Sequence, residues 1–149
     1  KSMPFLLKAG IIPKLIIGGK GEDTNYLKSL VKNLDLNSYV TFSGYIKDSD
    51  IKKYYERTDI FISIDWGDFR LTTFEALTYK LRVIVSNETS FTKLFSSGFL
   101  FPSEAKEKAL AKKIIKCINC KKLWNEEKLF YHLKNYTWEN YFFKILSYS

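Results

Sequence analysis

Short apolar runs alternate along the chain with longer stretches in which apolar residues recur at helical spacing. The runs are rich in β-branched residues, which is typical of buried strands in a parallel sheet. They cover residues 14–17, 39–42, 60–64 and 82–85, with a weaker run at 99–101. Helices are predicted within the first ten residues and at 22–34, 48–57, 71–80, 104–116, 123–134 and 137–146. This alternation predicts an α/β fold, a doubly wound, Rossmann-like parallel sheet in a three-layer αβα arrangement.

The size and composition of the chain fit one domain. It has 149 residues, of which 46% are hydrophobic and 17% aromatic. A chain of this length can bury an ordinary core but leaves no room for a second full domain. No internal repeat, low-complexity segment or linker interrupts it, so we expect a single folded domain over residues 1–149.

The net charge indicates an anionic environment or partner. The formal charge is +8 and the pI is near 9.3. A nucleotide diphosphate, a lipid headgroup or a nucleic acid would each fit that charge. A lysine-rich solvated surface explains it equally well, because the lysines are scattered and the only arginines are Arg57, Arg70 and Arg82. Nucleic-acid binders usually cluster their basic residues, so we expect no nucleic-acid partner, while association with a membrane surface stays open.

Membrane-spanning and metal-binding functions have little support in the sequence. No apolar stretch approaches the roughly 20 residues of a spanning helix, and no signal-peptide core begins the chain. We therefore predict a cytoplasmic location, and a peripheral position on the inner membrane face stays open. Cys117 and Cys120 form a Cys-x-x-Cys pair inside the predicted helical run 109–122, with His132 distant. Two such ligands fall short of a zinc site, and we expect neither a metal nor a cofactor.

Polar or glycine-rich segments follow each of the first four predicted strands. They are 18–21 (GGKG), 44–45 (GY), 65–70 (DWGDFR) and 86–89 (SNET), of which only the first is rich in glycine and the last has none. Ligands of open parallel sheets bind outside the carboxyl ends of the strands, so we expect these four loops to face one rim. Bare backbone at Gly18, Gly19 and Gly21 would let peptide N–H groups approach a ligand, although a glycine turn between strand and helix needs no ligand.

The loop 65–70 and the helix after it carry the strongest candidates. The free N–H groups at the start of that helix, at 70–73, suit phosphate oxygens. Glu75 lies one turn along, where its carboxylate can accept two hydrogen bonds from a vicinal diol such as a ribose. The alternative is that Glu75 only favours the first turn of the helix electrostatically.

Four stretches in this order resemble the C-terminal domain of the retaining glycosyltransferases of family 4, which have the GT-B fold. The first two are 15–21 (LIIGGKG) and 40–45 (VTFSGY). The most diagnostic is 59–63 (DIFIS) followed by 71–77 (LTTFEAL) and 83–86 (VIVS), and the last is 136–139 (YTWE). The resemblance covers nearly the whole chain and implies one half of a GT-B enzyme, the half that holds a nucleotide-sugar donor.

The resemblance implies a role for each part of the rim. Gly44, Tyr45 and Ile46 would hold the base, and Glu75 the ribose. The phosphates would lie near Gly18, Gly19, Arg70, Leu71 and Thr72, and the sugar would face Asp65, Gly67 and Phe69. The implied reaction is transfer of a sugar from a nucleotide diphosphate to a glycan or lipid-linked acceptor, with retention of configuration and without an essential metal. The acceptor would bind an N-terminal domain, which these residues do not include.

The sequence departs from the family pattern at two positions. The family has two glutamates separated by seven residues; the second matches Glu75, but the first falls at Gly67. Asp65 and Asp68 are the candidates to replace it, and Asp68 is the predicted catalytic carboxylate. Arg70 stands where the family usually has glycine, and it either pairs with the diphosphate, as the predicted catalytic cation, or blocks the site or faces solvent. These departures favour an alternative, a non-catalytic nucleotide- or partner-binding domain derived from a glycosyltransferase.

Overall fold

The described part of the chain consists of five parallel strands and five helices. The computed structural model describes residues 1–64, 71–87 and 100–120, with Glu127 and Tyr131. The strands are β1 (Leu15–Gly18), β2 (Val40–Gly44), β3 (Ile60–Ser63), β4 (Arg82–Ser86) and β5 (Leu100–Ser103). The helices are α1 (Met3–Lys8), α2 (Thr24–Asn33), α3 (Asp48–Glu56), α4 (Leu71–Thr78) and α5 (Glu107–Asn119).

Each of these elements lies close to its predicted position. The predicted strands are displaced by at most two residues at either end, while the last described helix begins and ends three residues later than predicted. The helices predicted at 123–134 and 137–146 lie outside the described residues, apart from two single positions. No helix in the described part of the chain has both the length and the apolar composition that crossing a bilayer requires.

The strands form two parallel sheets rather than one continuous sheet. β1 pairs with β2, and the other sheet has the order β3-β4-β5. Within the described residues no ladder joins β1 to β3, although the chain passes from β2 to β3 through α3. The predicted α/β class with parallel strands is confirmed; the division into two sheets was not predicted.

The central strand β4 shows why helices cover both faces. Val83 and Val85 point into one core cluster, which contains residues of α3 and α4, whereas Ile84 points into the other, which contains residues of α1 and α5. Side chains alternate between the two faces of a strand, so successive valine and isoleucine side chains enter opposite layers. This arrangement confirms the predicted three layers.

Three helices end in the same left-handed turn. After α2, the amide of Asp35 donates to the Lys32 carbonyl and that of Leu36 to the Val31 carbonyl. This is the Schellman pattern, in which the first residue beyond the C-cap adopts a positive φ. The ends of α1 and α4 repeat it, with Gly10, Asp35 and Lys80 at φ 75, 53 and 59. Only Gly10 is the residue type that adopts this conformation without strain.

Candidate functional site

The first two predicted loops are joined through their glycines. Gly18 and Gly44 are paired in register at the ends of β1 and β2. Beyond the ladder, the amide of Gly19 donates a hydrogen bond of 2.7 Å to the Gly44 carbonyl. Gly19 has φ +96 and Gly44 φ +65, conformations that side-chain-bearing residues rarely adopt. Gly18, Gly19 and Gly44, predicted separately, therefore form one unit, which we call the glycine cluster.

Ile46 closes over this cluster. A Cβ added to Gly18 would lie 2.9 Å from Ile46 Cδ1, closer than two carbon atoms can approach. Ile46 is half-buried, whereas its neighbour Tyr45 is 68% exposed. The glycine at position 18 thus provides space for Ile46, and the Tyr45 ring next to it stays open to solvent.

The amides of Gly19 and Gly21, in the turn after β1, donate hydrogen bonds within the protein. The Gly19 N–H is taken by Gly44, and the Gly21 N–H donates to Thr24 Oγ1 at 3.2 Å. The Thr24 hydroxyl in turn donates to the Gly21 carbonyl at 2.7 Å. A ligand at this turn would therefore meet the bare backbone of Gly19 rather than its N–H group.

Helix α4 presents the second group of predicted site residues. Leu71, Thr72 and Glu75 are exposed on its first turns. Thr73 points the other way: it is buried, and within the described part of the chain its hydroxyl has no hydrogen-bond partner. Helix α4 packs on the sheet that contains β3 and β4, whereas the glycine cluster belongs to the β1–β2 sheet.

Tyr55, a buried residue of α3 that was not among the predicted site residues, contacts Glu75. The Tyr55 hydroxyl lies 3.1 Å from Glu75 Oε2 and 3.4 Å from the Thr72 carbonyl oxygen. The Tyr55 ring is stacked on Tyr79 at a centroid distance of 5.0 Å and tilted against Phe61 at 5.9 Å. The residue is only 8% exposed. Burial, and then the hydrogen bond to the Glu75 carboxylate, raises the pKa of Tyr55 above its usual range.

The remaining predicted site residues lie in the loop after β3. Asp65, Gly67, Asp68, Phe69 and Arg70 are outside the described residues. Their predicted contacts with the sugar and the diphosphate, and the predicted catalytic roles of Asp68 and Arg70, therefore stay predictions.

The cysteine pair has the surroundings of a structural element. Cys117 is buried on the inner face of α5, and both thiols are free. Burial raises the pKa of Cys117 to about 11, so its thiol stays protonated and unreactive at neutral pH. The Arg82 guanidinium lies 3.5 Å from the Cys120 carbonyl oxygen, to which it donates. Among the described residues, no group of three or more His, Cys, Asp or Glu could hold a metal.

Comparison with known proteins decides the family. Residues 1–129 match the family described as glycosyl transferases group 1. This chain belongs to the group 1 glycosyltransferases. The resemblance drawn from the four stretches of sequence is thereby confirmed.

One curated relative and two solved structures show how far the likeness of this glycosyltransferase domain extends. The alpha-monoglucosyldiacylglycerol synthase of Streptococcus pneumoniae is 30% identical over 129 residues, which are 86% of this chain and 29% of that protein. A glycosyltransferase from Rickettsia africae superimposes with a TM-score of 0.77 at 24% identity, over 98% of this chain and 41% of that one. The pneumococcal O-GlcNAc transferase GtfA, in complex with UDP and GlcNAc, gives 0.65 at 20% identity, over 89% of this chain and 27% of that one.

The same comparisons show how much of each relative the chain covers. The chain spans less than half the length of each of these proteins. The two solved structures confirm the glycosyltransferase fold of the domain, including the parallel sheets with flanking helices.

Proposed function

We propose that this domain binds the nucleotide diphosphate part of a sugar donor, in an enzyme that transfers the sugar to a glycan or lipid-linked acceptor. The observation that carries the proposal is the exposed Glu75 carboxylate, one turn from the start of α4. Tyr55 uses one lone pair of one carboxylate oxygen. The other oxygen remains available to accept hydrogen bonds from the two hydroxyls of a ribose.

Suitable surfaces for the base and the phosphates lie on the turn after β2 and at the start of α4. The exposed ring of Tyr45, beside Ile46, is a surface on which a planar base can stack. The first amides of α4, at Leu71 and Thr72, have no partner inside the helix. They form the positive end of the helix dipole. They suit the oxygens of a diphosphate, and bare backbone at Gly19 allows the ligand to approach.

In the proposed reaction the anomeric carbon of the sugar is transferred from a diphosphate oxygen to an acceptor oxygen. Its bond to the diphosphate oxygen breaks, a bond to an acceptor hydroxyl oxygen forms on the same face, and the hydroxyl proton leaves with the departing diphosphate. Helix amides and a cation stabilise the charge that develops on the leaving group, and Arg70 is the proposed cation. Asp68 is the proposed carboxylate near the sugar. The acceptor would bind another part of the whole protein, an N-terminal domain.

A row of lysines on α5 supports a peripheral location at the inner face of a membrane. Lys108, Lys112 and Lys116 are exposed and four residues apart, so they share one side of the helix. Such a row is attracted to anionic lipid headgroups. The pneumococcal relative is named for a diacylglycerol product, and a lipid acceptor would be reached from that surface. Sedimentation with phosphatidylglycerol vesicles, but not with phosphatidylcholine vesicles, is the expected result.

The direct test is calorimetric titration of the chain with UDP, GDP and ADP. We expect saturable binding of one of them, and we expect Glu75→Ala to weaken it about tenfold or more, since a hydrogen bond to a charged group contributes roughly 1.5–3 kcal/mol. Glu56→Ala is the matched control, because Glu56 is an exposed helical glutamate whose ion pair with Lys52 lies at the surface. Absence of binding by the unsubstituted chain, or equal binding by the Glu75 variant, would overturn the proposal.

A non-catalytic role is the second candidate, favoured by Gly67 at the position of the first family glutamate. In that case the domain would bind the nucleotide without supporting transfer. The two roles differ in one measurement on the whole protein: hydrolysis or transfer of a nucleotide sugar. Release of nucleotide diphosphate supports the enzyme, and binding without release supports the alternative.

A further inference from the structure

The Tyr55 hydroxyl donates a hydrogen bond to the Glu75 carboxylate. Neither the sequence pattern nor the family resemblance indicated this contact. We propose that Tyr55 is a positioning residue for the donor ribose: its hydroxyl holds the Glu75 carboxylate in the orientation that accepts the ribose diol. This inference rests on the proposed function, because it assigns a second residue to the same ribose site.

The Tyr55 ring is fixed from two sides, so its hydroxyl has a defined position. Tyr79, at the end of α4, stacks on it with an interplanar angle of 20°, and Phe61 of β3 packs at 57°. These contacts hold the hydrogen-bond donor, the Tyr55 hydroxyl, in a fixed position beside α4. A group held by packing can orient a neighbour that is itself exposed.

The Tyr55 hydroxyl lies near two parts of the proposed site, the Glu75 carboxylate and the first turn of α4. Its single proton is donated to the nearer acceptor, Glu75 Oε2 at 3.1 Å, while the Thr72 carbonyl oxygen lies at 3.4 Å. Thr72 belongs to the first turn of α4, whose amides are the proposed phosphate ligands. Tyr55 therefore orients the carboxylate at a position close to that turn, beside the proposed phosphate contacts.

The direction of the hydrogen bond suits a carboxylate that must accept from a ligand. Because burial and the neighbouring carboxylate raise the pKa of Tyr55, the phenol keeps its proton and can only donate to Glu75. The bond leaves the second carboxylate oxygen and further lone pairs to the diol. Without it, an exposed glutamate would sample several rotamers, and ordering it on binding would reduce the affinity for the ribose.

The test compares ribose with 2′-deoxyribose. UDP, GDP and ADP are titrated beside their 2′-deoxy forms into the unsubstituted chain, Tyr55→Phe and Glu75→Gln. Tyr55→Phe keeps the stacked ring and removes only the hydroxyl. The matched control is Tyr54→Phe, which removes a hydroxyl one residue away on the same helix.

We expect the unsubstituted chain to prefer the ribonucleotide and Tyr55→Phe to lose most of that preference, on the order of a tenfold change in the ratio of dissociation constants. Tyr54→Phe should retain the preference. Combined with Glu75→Gln, Tyr55→Phe should change the ratio no further, because both substitutions interrupt the same contact. A purely structural tyrosine would lower the thermal midpoint and leave the ratio intact.

Two failures can be told apart. If the unsubstituted chain binds no nucleotide, the proposed function fails and this inference fails with it. If nucleotide binding is retained but Tyr55→Phe keeps the full preference for ribose, only the positioning role is overturned. Glu75→Asp provides a second variant that leaves the tyrosine in place: its carboxylate is drawn back from the Tyr55 hydroxyl, and it should lose the preference while keeping the charge.

Discussion

The amide of Gly19 donates to the carbonyl oxygen of Gly44 at 2.7 Å, so the turns after β1 and β2 are linked directly to each other. The two turns predicted to hold different parts of a nucleotide are therefore one structural unit. A substitution that disturbs either turn should affect both the base and the phosphate ends of the proposed site.

Replacement of Gly18 by alanine tests how tightly that unit is packed. The new Cβ would meet Ile46 Cδ1 at 2.9 Å, so Gly18→Ala should lower the free energy of unfolding by about 1 kcal/mol through overpacking. Valine lacks the Cδ1 atom, and Gly18→Ala with Ile46→Val should recover most of the loss. Urea denaturation measures both. Equal stability of the alanine single variant and the unsubstituted chain would contradict the predicted contact.

The left-handed residue after α2 offers a stabilising substitution. Asp35 has φ 53, and glycine adopts this conformation without the steric cost of a Cβ. Asp35→Gly should raise the free energy of unfolding by about 0.5–1 kcal/mol. The reciprocal change at the end of α1, Gly10→Ala, meets no neighbouring atom within 4 Å and should lower stability by a similar amount through the backbone alone. Thermal denaturation of both variants checks the pair, and a loss of stability in Asp35→Gly would disprove it.

The buried hydroxyl of Thr73 offers a second stabilising substitution. It is 1% exposed and has no hydrogen-bond partner among the described residues, so none of them compensates its desolvation. Thr73→Val keeps the shape and removes the hydroxyl, and it should stabilise the domain by about 1 kcal/mol. Thr72→Val, on the exposed side of the same turn, should change stability little. If Thr73→Val destabilises the domain in urea, the hydroxyl has a partner that the geometry does not reveal.

Tyr55 makes stability depend on alkaline pH. Its pKa is raised in the folded state, so above the ordinary pKa of about 10 the unfolded chain loses a proton that the folded chain keeps. The stabilisation is therefore complete below pH 10 and decreases as pH rises beyond it. Between pH 9 and 11 the unsubstituted chain should lose about 1 kcal/mol more than Tyr55→Phe. Urea titrations at both pH values measure this difference, and parallel losses would show that Tyr55 titrates normally.

Local pattern was enough to locate the strands. The β-branched runs placed all five described strands, because burial on both faces demands continuous apolar residues. The rule that parallel strands end at one rim also put the turns with Gly18 and Gly44 at the same edge, where these two glycines are paired.

The pairing of the strands and the contact between Tyr55 and Glu75 could not be predicted from local sequence pattern. The division into two sheets depends on which strand edges meet, and the apolar pattern of a strand does not specify its neighbour. The bond between Tyr55 and Glu75 depends on how α3 packs beside α4, twenty residues apart in sequence. Asp35 and Lys80 gave no signal of their left-handed turns because neither is glycine.

Because the strands divide between two sheets, each sheet comes from one continuous stretch of chain, 15–44 and 60–103. Strand pairing therefore joins residues that are near each other in sequence, which favours rapid folding. During synthesis the β1–β2 ladder can form before β3 has left the ribosome. Its apolar face, however, packs in a cluster with Ile84 and Ile114, so that face waits for β4 and α5 to be translated before it is covered.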